Sequence, residues 1–381
     1  MTMSRKEFLG LWGKGILGFT LFHSFSDFSL ADPITIKLNS GEPMIEVKTK
    51  RLELAHTWTI SRNSSDFKDN VFVKLQMDGI EGYGEAAPNV RFGESSELTI
   101  RRINEAKTIF ENNSLFHYMS IKNGLDQKII DQSCAKAALD IALMDWIGKS
   151  FGIPLYKLWG LDPSDAPVTS FSIGIDTTEV IKQKVREAKP YPILKIKVGT
   201  DRDKEIITAV RSVTDKPIRV DVNEGWKSKD MALKNIEWLI SQGVEFIEQP
   251  MPATMLEETA WLRERVAIPI IADEAVKSSA DIPILAGAYD GINIKLMKAG
   301  GLLESFRMIQ MAKALNLKIM LGCMIESSVA VTAAAHLAPF ADWADLDGNL
   351  LIKNDPFTGV KVKEGELVFN DESGLGVAGK F

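Results

Sequence analysis

Charged residues return down this chain at nearly even intervals, each where a short apolar run ends. Lys197, Asp221, Glu248, Asp273 and Lys295 are separated by 24, 27, 25 and 22 residues, and the pair Asp345 and Asp347 follows. An interval of about 25 residues is one strand, one helix and two short loops. A (β/α)8-type barrel brings the C-terminal ends of all its strands to one mouth, so residues this far apart in sequence meet there. Three carboxylates flanked by lysines at such a mouth describe a divalent-metal site with two groups able to transfer protons.

The length of 381 residues suits a barrel with an added cap, and 45% hydrophobic with 25% charged residues indicates a globular chain with a full core. A formal net charge of −6 argues against nucleic acid as the main partner. The two cysteines, Cys134 and Cys323, provide no disulfide framework, and Cys134 lies in an apolar helical run as a core thiol. The four histidines include no pair at metal-ligand spacing, which favours a hard, oxygen-liganded ion over zinc.

Residues 1–31 read differently. Ser4-Arg5-Lys6-Glu7-Phe8-Leu9 precedes a moderately apolar stretch, the layout of an export signal, and resembles a twin-arginine signal with Lys6 in the second arginine's place. This predicts a periplasmic or exported protein. The alternative is a disordered or surface-docked segment on a cytoplasmic one. Lys14 and the glycines make the stretch a poor membrane span, and no other stretch is apolar enough to span a bilayer.

Residues 44–160 predict an α+β capping unit. Alternating runs at 45–48 and 71–75 and the turn signals Asp78-Gly79 and Glu81-Gly82 give an antiparallel meander. Helical periodicity follows at 97–111 and 131–149, where Ala135, Leu139, Ala142 and Trp146 line one face. From 161 to 355 strands and helices alternate. The strands are expected at 168–173, 193–198, 217–222, 244–248, 269–273, 291–295, 318–323 and 343–347, and the clearest helices at 203–213, 229–241, 255–266 and 302–315. The tail, 356–381, returns to extended pieces and is expected to pack on the cap. The fold class is therefore α/β, a TIM-like barrel with an α+β capping domain.

Positions i and i+2 on a strand face the same way, so Lys195 and Lys197 both point into the barrel. Two ammonium groups that close disfavour each other's charge, which is expected to lower the pKa of one. Asp221, Glu248 and Asp273, on consecutive strands, repel unless a cation lies between them, and oxygen-only ligation suits Mg2+. Asn223 and Glu274 are candidate supports for these ligands, or caps of the following helices. Lys295 approaches from the side opposite the second strand. Lys298 competes for its role but falls in the following loop.

Together, Lys-x-Lys at 195–197, Asp221-x-Asn223, Glu248-Gln249-Pro250, Asp273-Glu274 and Lys295 upstream of Gly300-Gly301 resemble the enolase superfamily. They are most similar to the dipeptide epimerases of its muconate lactonizing enzyme subgroup, of which L-Ala-D/L-Glu epimerases are the best-known type. The resemblance covers residue 45 to the C-terminus and implies a modified (β/α)7β barrel. It implies one Mg2+ per subunit on Asp221, Glu248 and Asp273, with Lys197 and Lys295 as the acid/base pair. It further implies that Asp345 and Asp347 bind the α-ammonium of a dipeptide; a turn entering Gly348 is the other reading of that pair. Arg91, in Arg91-Phe92-Gly93-Glu94, resembles an Arg-Tyr-Gly-Glu loop of relatives acting on Ala-Glu, and Arg62 is a second candidate partner for a glutamate carboxylate. Either arginine also reads as an ordinary surface residue. Glu326 and Ser327, in a segment similar to this subgroup, are candidate pocket residues.

The expected activity is Mg2+-dependent epimerisation at the C-terminal residue of a dipeptide, in the turnover of cell-wall peptides. Alternatives on the same scaffold are o-succinylbenzoate synthesis, N-acylamino acid racemisation and cycloisomerisation, whose substrates lack a free α-amino group for the aspartate pair. A non-catalytic exported binding protein is the reading from another class. The expected partner is a small dipeptide, with homo-oligomerisation left open.

Overall fold

A computed structural model describes residues 41–379 of the chain. The stretch read as an export signal lies outside the described residues. Among them, no helix is long and apolar enough to cross a membrane.

The cap begins with an antiparallel sheet of β1 (Met44–Thr59), β2 (Ser64–Met77) and β3 (Ile80–Ala86). Asp78 and Gly79, both left-handed at φ 54° and 76°, form the two-residue turn between β2 and β3. That hand matches the twist of the strands it joins. Three helices follow, α1 (Ser96–Glu111), α2 (Tyr118–Lys128) and α3 (Ser133–Phe151). The sequence predicts one apolar face for α3, but 14 of its 19 residues are buried. The sheet covers one side and the barrel the other. β3 is glycine-bearing for this reason: a Cβ on Gly84 would lie 1.9 Å from the Ala138 carbonyl oxygen, and one on Gly82 2.1 Å from that of Ala142. Helix backbone therefore rests directly on strand backbone.

The barrel strands are β4 (Phe171–Ile173), β5 (Leu194–Lys197), β6 (Ile218–Asp221), β7 (Val244–Glu248), β8 (Ile270–Ala272), β9 (Gly291–Lys295), β10 (Lys318–Gly322) and β11 (Trp343–Asp345). They form one parallel sheet in sequence order. The Ser170 amide donates to the Ala344 carbonyl at 3.1 Å and a bridge joins Thr169 to Ala344, so the two edges meet. Helices at Thr178–Glu187, Asp203–Arg211, Lys229–Ser241, Leu256–Arg263 and Leu302–Ala314 alternate with the strands.

Within the barrel, side chains two residues apart stack in layers. Phe246, Ile271 and Met320, with Trp343 against them, form a separate apolar cluster. Two residues further along the same strands come Glu248, Asp273, Gly322 and Asp345. The apolar layer is the floor on which the polar layer stands, as the alternation of inward positions requires.

Cap and barrel are joined at several points. Asp140 of α3 accepts from the amides of Leu302 (2.5 Å) and Leu303 (3.4 Å), capping the helix they begin. Gly301, at φ 119°, leaves the space, since its Cβ would lie 2.3 Å from the Asp140 carboxylate. The tail returns across the cap, where Phe357 stacks on Phe72 at 5.8 Å and the Leu375 amide donates to Asp145 at 2.7 Å.

Candidate active site

One cavity at the barrel mouth, roofed by the cap, is lined by Lys195, Lys197, Asp273, Lys295, Asp345 and Asp347 among others. Lys197, Asp221 and Glu248 sit in register across β5, β6 and β7, and Asp273 directly follows β8. All three carboxylates are buried, and each offers an oxygen within 4.8 Å of the others. Burial and the neighbouring Asp221 push the Glu248 carboxyl up to about 8. Three carboxylates this close in a dry site do not all ionise unless a divalent cation lies among them, and hard oxygen donors suit Mg2+. The residues present fit that ion. Asn293 supports the set by donating to Glu248 at 2.8 Å, and a Cβ on Gly322 would collide with the Asn293 side chain at 2.5 Å.

The lysines interleave with these carboxylates. Lys197 donates to Asp221 at 2.5 Å and Lys295 to Asp273 at 2.8 Å. Lys195 meets Asp345 at 2.6 Å, Glu248 at 2.7 Å and Asp221 at 3.2 Å. The lowered pKa expected of a crowded lysine is not found at Lys195. Burial does push its ammonium down, but the carboxylates of Asp345, Glu248 and Asp221 outweigh that and hold it well above its usual value. Lys295 is raised in the same way, burial being outweighed chiefly by Asp273. Conversely, burial pushes Asp221 and Asp273 up, but the adjoining ammonium groups hold both down. Lys298 lies in a short helix, Leu296–Ala299, and is locked onto Asp273 and the Asn293 carbonyl, away from the cavity lining.

Asp345 ends β11, whereas Asp347 has left the strand and opens a 3-10 turn. Both still converge on Ser172: Asp345 accepts from its hydroxyl at 3.2 Å and Asp347 from its amide at 2.5 Å. Ser170 donates to Asp345 at 2.7 Å. Burial beside Asp345 pushes the Asp347 carboxyl up to about 7.

Arg62 and Arg91 both line the cavity, but neither is a free cation. Arg91 makes a two-point pair with Glu224 at 2.8 and 2.9 Å. Arg62 reaches Glu274 at 2.6 Å, Glu224 at 3.1 Å and the Asn223 carbonyl at 2.6 Å. The Asn223-Glu224 segment that holds them is strained, at φ 47° and 64°, and the Gln249 carbonyl that accepts from the Glu224 amide at 2.9 Å belongs to a residue at φ 37°. Asn223 donates its amide NH2 to Glu274 at 3.3 Å, and its backbone amide to Asp221 at 3.0 Å.

Glu326 and Ser327 are not brought to the cavity. Glu326 is buried and folds back onto the Met324 amide at 2.8 Å. Ser327 caps the helix Ser328–Ala335 and donates its hydroxyl at 2.6 Å to Glu85, a buried cap carboxylate also held by Asn70. The same segment lines the cavity with Cys323, Met324 and Ile325, while the Ile325 carbonyl and Ser327 tie it to Asn70 and Glu85 of the cap. Sequence reasoning missed Asn293, Ser170, Ser172 and Glu224. The first three are uncharged, Ser172 and Asn293 within strands and Ser170 just before β4; only Asn293 carries a signal, its shared face with Lys295 two positions on.

Residues 178–380 match the enolase C-terminal domain-like family. Residues 44–160 match the N-terminal domain family of mandelate racemase and muconate lactonizing enzyme. The chain is 43% identical over 327 residues to an L-Ala-D/L-Glu epimerase of Bacteroides thetaiotaomicron, covering 86% of this chain and 85% of that one. It is 42% identical over 331 residues to an L-Ala-D/L-amino acid epimerase of Pedosphaera parvula, covering 84% and 93%. Among solved structures, the dipeptide epimerase of Enterococcus faecalis with Mg and L-Leu-L-Tyr superposes with a TM-score of 0.84 at 31% identity, over 89% of this chain and all of that one. With its matched N- and C-terminal domains and this arrangement of lysines and carboxylates, the chain belongs to the enolase superfamily.

Proposed function

We propose that the protein is a Mg2+-dependent dipeptide epimerase that inverts the α-carbon of the C-terminal residue. The observation that carries this reading is the position of the two lysines. β5 and β9 are separated by three strands in each direction around an eight-stranded barrel, so Lys197 and Lys295 stand on opposite walls. A substrate α-carbon between them has one ammonium or amine on each face. One lysine takes the α-proton, the other returns a proton to the opposite face, and the reverse reaction exchanges the roles. Mg2+ held by Asp221, Glu248 and Asp273 supplies charge neutralisation for the substrate carboxylate as it gains electron density. Lys195, held protonated among Asp221, Glu248 and Asp345, adds a fixed positive charge to the same end.

Asp345 and Asp347 favour a free α-ammonium over an N-acyl group, because an ammonium offsets the mutual repulsion of two adjacent buried carboxylates and a neutral amide does not. The Bacteroides relative's name supports Ala-Glu as the dipeptide, and hence peptides released in cell-wall turnover as its source. The basic, then apolar, N-terminal stretch supports work in the periplasm. The test is a screen of L-Ala-L-X dipeptides in D2O with Mg2+, read by mass spectrometry. Uptake of one deuterium with appearance of the L,D epimer is the expected result. Uptake confined to N-succinyl or N-acetyl amino acids would overturn the dipeptide reading.

A further inference from the structure

Lys68 lies on β2, directly opposite the fully buried Leu52 of β1 and two residues before Asn70. It therefore shares the sheet face from which Asn70 reaches the Ile325 carbonyl at 3.0 Å, the face turned to the barrel. Lys68 lines the same cavity as the catalytic candidates and is half-buried. No carboxylate of the described residues pairs with it, and burial alone depresses its pKa, with no acidic neighbour raising it again. Every other cation lining the cavity is committed: Arg62 and Arg91 to Glu224 and Glu274, and Lys195, Lys197 and Lys295 to the carboxylates of the barrel. A half-buried ammonium without a counter-charge is costly, and a bound anion removes that cost.

A dipeptide in this cavity has three anchors: its ammonium at Asp345 and Asp347, its carboxylate at the triad, and its α-carbon between Lys197 and Lys295. The direction left for the C-terminal side chain is towards the cap. Resting on the epimerase reading, we propose that Lys68 is a specificity-determining residue that pairs with the side-chain carboxylate of an acidic C-terminal residue, the role the sequence suggests for Arg62 or Arg91. Those two arginines instead fasten the β1–β2 turn and the Arg91 loop to the barrel mouth through Glu224 and Glu274.

The experiment compares kcat/KM for L-Ala-L-Glu with that for the near-isosteric L-Ala-L-Gln, in the full chain with Mg2+. The wild type is expected to favour Glu by about tenfold or more, as for one charge-assisted contact. Lys68→Met is expected to bring the two within about threefold, the loss falling on KM for the Glu dipeptide. Lys68→Arg is expected to keep the preference, and Lys68→Glu to shift it towards L-Ala-L-Lys. An unchanged Glu-to-Gln ratio in Lys68→Met and Lys68→Glu, or no preference in the wild type, overturns the proposal. Failure of the epimerase reading looks different, because then no dipeptide exchanges its α-proton at all. Should Lys68→Met fail to fold, the ratios in Lys68→Arg and Lys68→Glu decide the matter.

Discussion

Lys197 and Lys295 stand on opposite walls of one barrel, each hydrogen-bonded to a carboxylate of the triad, Asp221 at 2.5 Å and Asp273 at 2.8 Å. Each lysine is thereby held beside the place where a substrate carboxylate would bind. Replacing either with Met is expected to lower the epimerisation rate by about 10²–10⁴-fold. The two variants differ in what survives. Lys295→Met keeps α-proton exchange for the epimer whose proton faces Lys197, and Lys197→Met keeps it for the other. NMR of each pure epimer in D2O separates them.

Asn293 is the support of the metal set most open to test, since its side-chain amide donates to Glu248 at 2.8 Å, while Lys298 is held by its backbone carbonyl, which a substitution keeps. Asn293→Ala is expected to weaken Mg2+ binding by about 10–100-fold. Isothermal titration of the metal-stripped protein reads this directly, and EDTA is expected to abolish activity in the wild type, with recovery on adding Mg2+.

Acid stability is expected to depend on His336. Its Nδ1 accepts the Tyr156 amide at 3.2 Å and its Nε2 donates to the Leu375 carbonyl at 3.1 Å, an arrangement only the neutral ring can make. Burial lowers its pKa from 6.5 to about 4. A folded pKa below the unfolded one means that the unfolded chain binds more protons in this window. The contribution is fully present above about pH 6.5 and is lost as the pH falls through 4, amounting to about 3 kcal/mol. Urea midpoints measured between pH 7 and 4 are expected to fall less steeply in His336→Gln than in the wild type.

Gly84→Ala is expected to destabilise the cap by about 2–4 kcal/mol, since the new Cβ would lie 1.9 Å from the Ala138 carbonyl of α3 and backbone must move to admit it. Thermal unfolding monitored by circular dichroism measures the loss.

The charged cadence made the barrel and its central residues legible, because a strand leaves its end residue at the mouth whatever the loops do. Lys195, Lys197, Asp221, Glu248, Asp273 and Lys295 needed only that rule. The cap side did not follow from local pattern. Arg62 meets Glu224 and Glu274, 162 and 212 residues away, and no sequence spacing encodes that encounter. Glu326 and Ser327 belong to a segment with the right composition, but the helix that begins at Ser328 turns them towards the cap. Ser172 and Asn293 act through neutral groups, which stand out only once the register is known. The breadth of α3 burial was also hidden, since a helix packed on both sides still shows periodic apolar positions.

Two lysines on opposite walls of the barrel are placed to exchange the α-proton of a dipeptide from its two faces. Proton NMR of L-Ala-L-Glu with Mg2+ and the wild-type protein in D2O tests this exchange most directly. Loss of the glutamate α-proton signal is expected, together with growth of the L-Ala-D-Glu resonances until the two epimers balance. Persistence of that proton in every free-amino dipeptide, with the metal bound and the protein folded, would contradict this exchange.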